Sequence, residues 1–121
     1  MPIEKINCKK EARRDYLKDL SDDELLRHQG NLDNSSTVVA TLFRALKGRK
    51  NNWVPVPALG KAAATRCMAG NIARLREKGC LIDSRIVWPD EANHPWVVHV
   101  FYKLVAEPRD EIERRRTEPR A

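Results

Sequence analysis

A chain of 121 residues, 33% charged and 41% hydrophobic, has the balance of one folded domain with short extensions, not of a disordered segment. No apolar run nears the roughly 18 residues that cross a bilayer, and the opening MPIEKINCKKEARRD lacks the apolar stretch of a signal peptide, so a cytoplasmic protein away from membranes is expected. The formal charge of +6 is unevenly spread: between Arg44 and Arg85 ten basic residues face only Glu77 and Asp83, a net +8, which is the asymmetry of a polyanion-binding surface.

Residues 8 to 28 read as two short helices. CKKEARRDYLKDL sets Ala12, Tyr16 and Leu20 four apart in a narrow apolar stripe, and Ser21-Asp22-Asp23-Glu24 has the form of a capping box that starts DELLRH. QGNLDNSS is rich in turn formers and reads as a linker over about 29–36. From about Ser36 to Leu46, Val39, Leu42, Phe43 and Leu46 fall at i, i+3, i+4 and i+7, the broad buried face of a helix. KGRKNN ends it, and WVPV suits a short edge strand closed by proline. Pro57 then stands in the first turn of a helix over PALGKAAA, and Thr65 is placed to cap a further helix over 66–79.

Gly79 ends that helix and the period changes. Ile82, Ser84, Ile86 and Trp88 alternate with Asp83, Arg85 and Val87, as in a half-buried strand. PDEANHP makes a turn, and Trp96 to Val105 alternates again, so the two strands predict an antiparallel hairpin closed by a Trp88–Trp96 cross-strand pair. After Pro108 the tail RDEIERRRTEPRA is charged in both signs and is expected to be loose or a short helix.

Cys8, Cys67 and Cys80 form no C-x-x-C pair, and an odd count argues for free, buried or half-buried thiols rather than a disulfide framework. With His28, His94 and His99 they show no zinc-site spacing, so no metal and no other cofactor is expected. Nor is there a glycine-rich phosphate loop, a nucleophile elbow or an H-E-x-x-H helix. Asp22, Asp23 and Glu24 are accounted for by a helix start, and Cys67 has no histidine base placed beside it, so the chain is not read as an enzyme.

Helix, short strand, helix, turn, helix, strand, loop, strand is an order that resembles the winged helix-turn-helix fold over roughly residues 36 to 105. VPALGKAAATRCMAGNIARLREKGCLI is similar to the core of small winged-helix proteins of bacteria and their phages, most closely in IARLREKGCLI. The resemblance implies an α+β protein in three parts: an N-terminal helical extension and linker (1–34), a winged helix-turn-helix domain (35–106) and a charged C-terminal tail (107–121). It also implies that the helix over 66–79 enters a DNA major groove, with the hairpin along the flanking backbone.

At about 100° per residue, Met68, Ile72, Leu75 and Gly79 gather on one side of that helix and Arg66, Gly70, Ala73, Arg74 and Glu77 on the other. Gly70 costs about 1 kcal/mol relative to alanine inside a helix, and a small outward surface lets a backbone approach a groove closely. Arg66 and Arg74 are then the candidate base readers, with Asn71, Ala69 and Arg76 on the flanks, and Asn71 reaching adenine if the helix rolls toward its side. Lys61, Thr65 and Arg85 are candidates for phosphate contacts, and Arg44, Lys47, Arg49 and Lys50 for an extension of the positive patch. Asp90 and Glu91 depart from a DNA-contacting wing, whose tip is usually basic; His94, when protonated, would offset them.

The expected function is double-stranded DNA binding by a small transcriptional regulator of bacterial or phage type, with the N-terminal helices forming a homodimer interface or packing on the domain. The alternative is a winged-helix module whose partner is a protein, since fold alone does not establish function.

Overall fold

A capping box starts the first helix. In the computed structural model, which describes residues 5–9, 17–63, 67–88 and 99–117, the Ser21 hydroxyl accepts from the Glu24 amide and the Glu24 carboxylate reaches back to the Ser21 amide. The helix so opened, α1 (Asp22–Asn34), runs through most of the segment expected to be a linker. Leu25, Gln29 and Leu32 are buried along it at i, i+4 and i+7, so packing carries the helix across Gly30 and the following turn formers. Ser35 ends it, its amide bonded to the Asn31 carbonyl.

Thr37 accepts from the Ala40 amide and caps α2 (Val38–Lys47), whose expected face is buried: Leu42, Phe43 and Leu46, with Ala40 beside them and Val39 partly covered. β2 (Val54–Pro55) is the short edge strand, and α3 (Val56–Ala63) follows with Pro57 in its first turn. The next helix, α4 (Met68–Glu77), has Cys67 as its N-cap, and the expected cap Thr65 lies outside the described residues. Gly79 stops it with φ +102°, in the left-handed region that glycine occupies without steric cost. A Cβ at Gly79 would stand 2.6 Å from Leu25 Cδ2, with Leu20 and Leu17 behind it, so the turn lies directly against the start of α1.

β3 (Leu81–Trp88) and β4 (His99–Ala106) pair antiparallel, with Ile82 opposite Leu104 and Ser84 opposite Tyr102. β2 pairs with the outer edge of β4, Val54 opposite Tyr102. The other edge of β3 is taken by β1 (Lys5–Lys9), with Ile6 opposite Val87. This corrects the expected helix from residue 8: Cys8 and Lys9 are strand, because the open edge of β3 offers ladder hydrogen bonds that a narrow apolar stripe cannot outweigh. The sheet order is β1-β3-β4-β2. Flanked on both sides, β3 buries Asp83 and Val87 as well as Ile82, so it is more enclosed than a half-buried strand. Ala12 and Tyr16, the loop over 89–95 with Asp90, Glu91 and His94, and the Trp88–Trp96 pairing lie outside what the structure describes.

The main core joins α2, α3 and α4 to the inner face of β3 and β4 through Phe43, Leu46, Leu59, Ile72, Leu75, Ile82 and Leu104. Each such side chain contributes about 1.5–3 kcal/mol when fully buried. A second, smaller cluster of Leu17, Leu25 and Ile112 lies between α1 and α5 (Pro108–Thr117), the helix formed by the charged C-terminal segment. Arg115 fixes α5 from the other side, donating to Asp22 and to the Leu17 carbonyl. The chain is thus an α+β fold of helices and an antiparallel sheet. No described helix is long and apolar enough to cross a membrane.

Candidate nucleic-acid interface

The outward side of α4 is nearly bare backbone. Met68, Ile72 and Leu75 turn into the core, while Ala69, Gly70, Ala73, Arg74 and Glu77 are exposed. A Cβ built on Gly70 meets nothing within 4 Å, so no packing demand explains a glycine there. Arg74 has no ion pair among the described residues, and Glu77 closes the face with a negative charge one turn further on. At the other end the helix starts at Cys67, whose side chain makes no capping hydrogen bond.

Lys61, in the last turn of α3, is exposed as well. Thr65 and Arg66 lie outside the described residues, so only part of the expected reading surface has a position. Asn71 is a correction: it is 8% exposed, grouped with Met68, Ile72 and Leu75 on the buried side, and is removed from the readers of base edges. The reason is geometric. The covered side of α4 is wider than the stripe drawn by its apolar residues and takes in Asn71. Arg76 on the opposite flank is also committed, donating from Nε and Nη2 to the Ile82 carbonyl at 3.2 and 2.8 Å. Arg85 sits mid-strand between Cys8 and Phe101 and is half-buried, with its Nε shielded and without a hydrogen-bond partner among the described residues.

The expected extension of the patch through α2 is the second correction. Arg44 donates to the Leu32 and Ser35 carbonyls at 3.0 and 2.8 Å, so it satisfies the carbonyl end of α1 rather than facing solvent. Lys47 lies 3.2 Å from Asp33 and 3.0 Å from Glu107; Lys50 lies 2.9 Å from Glu107 and 2.6 Å from Asp110. Arg49 alone of these four is exposed and unpaired among the described residues. Three of four cations are thus spent inside the fold.

Glu107 is the centre of that network. Burial disfavours its charge, yet hydrogen bonds from Lys50, Lys47 and Gln29 together outweigh burial and hold the carboxyl down at about 2. Gln29 is itself 2% exposed; its amide donates to Glu107 and Asp33, and its carbonyl accepts from the Arg109 amide. These partners stand up to 80 residues apart in the chain, and no local spacing announces them.

Of the cysteines, Cys67 is exposed and Cys80 buried, and burial pushes the Cys80 thiol well up. Among the described residues no group of three His, Cys, Asp or Glu stands together to hold a metal ion. Against protein-family models, curated proteins and solved structures the chain finds no match, so the reading of this surface rests on its own residues.

Proposed function

We propose that the chain is a winged helix-turn-helix protein that binds double-stranded DNA, with α4 as the helix that enters the major groove, and that it acts as a small regulator of transcription. The run α2, β2, α3, α4, β3, β4, with β2 laid against β4, is the order such a fold requires. One observation carries the functional reading: the outward face of α4 is Ala69, Gly70 and Ala73 beside Arg74, which has no ion pair among the described residues. Small residues admit the helix deeply, and a guanidinium at the edge can meet guanine bidentately or a phosphate. Exposed Lys61 adds a donor suited to phosphate oxygens.

A salt titration of binding to random-sequence duplex tests this. Contacts to about six phosphates predict a log–log slope near −5. Absence of binding at low salt would instead favour the protein-interaction alternative. That alternative draws on a hollow of about 250 Å³ lined by Pro55, Val56, Pro57, His99 and Val100 at the outer edge of the sheet.

A further inference from the structure

Nothing among the described contacts asks for a carboxylate at Glu77. It is the last residue of α4, where the carbonyl end of a helix disfavours negative charge. Its side chain is exposed and makes no hydrogen bond or ion pair among the described residues; Arg74, three residues back, does not close on it. Glu107 and Glu111 differ, each gathering two cations. Seven residues after Gly70, Glu77 stands within about 20° of the glycine and about 10 Å further along the axis. Arg74 lies about 60° to one side and about 4.5 Å behind it. The other exposed residues of α4 are Ala69, Gly70 and Ala73, so Arg74 and Glu77 are the two side chains that reach out from this face.

We propose that Glu77 reads a base, accepting a hydrogen bond from the N4 amino group of a cytosine in the major groove. The assignment rests on the DNA-binding reading and names a base that the outward face of α4 selects. The rise of about 4.5 Å from Arg74 to Glu77 compares with about 3.4 Å between base pairs, so the two side chains meet neighbouring pairs.

The choice of base follows from what a carboxylate can do. Ionised, it accepts hydrogen bonds and donates none. In the major groove guanine presents N7 and O6 and thymine presents O4, all acceptors; only the amino groups of cytosine and adenine donate. Adenine sets its amino group beside the acceptor N7, whereas the groove edge of cytosine offers a donor and no acceptor. Opposite cytosine the contact is a charge-assisted hydrogen bond. On any other sequence the same charge faces phosphates and base acceptors and is repelled, so Glu77 lowers affinity for unrelated duplex while Arg74 raises it.

Selection of sites from a random-sequence duplex pool by the full chain tests this, with affinity for the unselected pool measured beside it, for wild type, Glu77→Gln and Glu77→Ala. An exposed position at a helix end predicts an unchanged or slightly higher melting temperature in both variants. Wild type is expected to select cytosine at one position, roughly tenfold or more over the other bases. Glu77→Gln is expected to move that selection to adenine, whose N6 and N7 match a carboxamide. Glu77→Ala is expected to select no base there and to bind the unselected pool about threefold tighter. Selected sites and affinities identical in wild type and both variants overturn the assignment and leave the DNA-binding reading standing. Tighter binding of the unselected pool with unaltered selected sites makes Glu77 a repelling charge alone and also overturns it. A wild type that binds no duplex removes both readings together.

Discussion

Glu107 Oε1 lies 3.0 Å from Lys47 Nζ, and this contact ties the end of β4 to α2. Lys50 reaches the other carboxylate oxygen and Gln29 of α1 the first, so one side chain links three parts of the fold. Removing one member of such a network leaves the others imperfectly paired. Glu107→Gln should therefore lower unfolding free energy by about 2 kcal/mol, the lysines being partly solvated. Denaturant titration checks it.

The same carboxyl predicts an acid limb. Its folded value near 2 lies below the ordinary 4.5, so its contribution is complete above about pH 5 and is lost as pH falls toward 2. Glu111, held low by Arg114 against burial, adds to the same limb. Melting temperature followed from pH 6 to pH 2 should fall less steeply in Glu107→Gln than in wild type.

Gly79 supplies a test of the turn. Alanine there must adopt φ +102° and place its Cβ 2.6 Å from Leu25 Cδ2. The leucine terminus can shift, but the backbone strain remains, at about 1–2 kcal/mol. Gly79→Ala should melt earlier than wild type by that amount, whereas Gly30→Ala, with open space at its Cβ inside α1, should melt slightly later.

Lys47 and Arg74 belong to the same basic segment, and the structure separates their roles. Lys47→Ala breaks two ion pairs and should reduce stability while leaving duplex affinity within about twofold. Arg74→Ala touches no ion pair among the described residues and should weaken a selected cognate site by about 1–3 kcal/mol. Equal loss on cognate and random duplex would make Arg74 a phosphate contact. Melting curves beside binding isotherms for both variants decide the assignment.

The readable parts of the sequence were those governed by local chemistry. Ser21 with Glu24, Thr37 ahead of Val38, the stripe of Leu42, Phe43 and Leu46, and Gly79 each act within a turn or two of the chain, and their roles follow from spacing. Where distant partners decide, spacing misleads. Gln29 and Leu32 keep α1 helical through turn formers because α2 and α5 cover them. Cys8 pairs with Arg85 in a sheet whose edge is invisible from residues 8 to 20 alone. The positive segment looked like one patch because Asp33, Glu107 and Asp110, its neutralising partners, lie outside it in sequence. At the candidate site, the outward direction of Gly70 and Arg74 was legible, and the burial of Asn71 was not, since it depends on tertiary packing and not on the spacing of apolar residues within α4.

Gly70 carries the central claim that the bare face of α4 lies against a groove. A Cβ at this position meets nothing within 4 Å, and leucine replaces a poor helix former, so Gly70→Leu should raise unfolding free energy by about 0.5–1 kcal/mol. The decisive measurement is the dissociation constant of Gly70→Leu for duplex DNA against that of wild type under identical salt. The account predicts binding at least about tenfold weaker in a variant at least as stable, a loss of about 1.4 kcal/mol or more. Wild-type affinity in Gly70→Leu would contradict it.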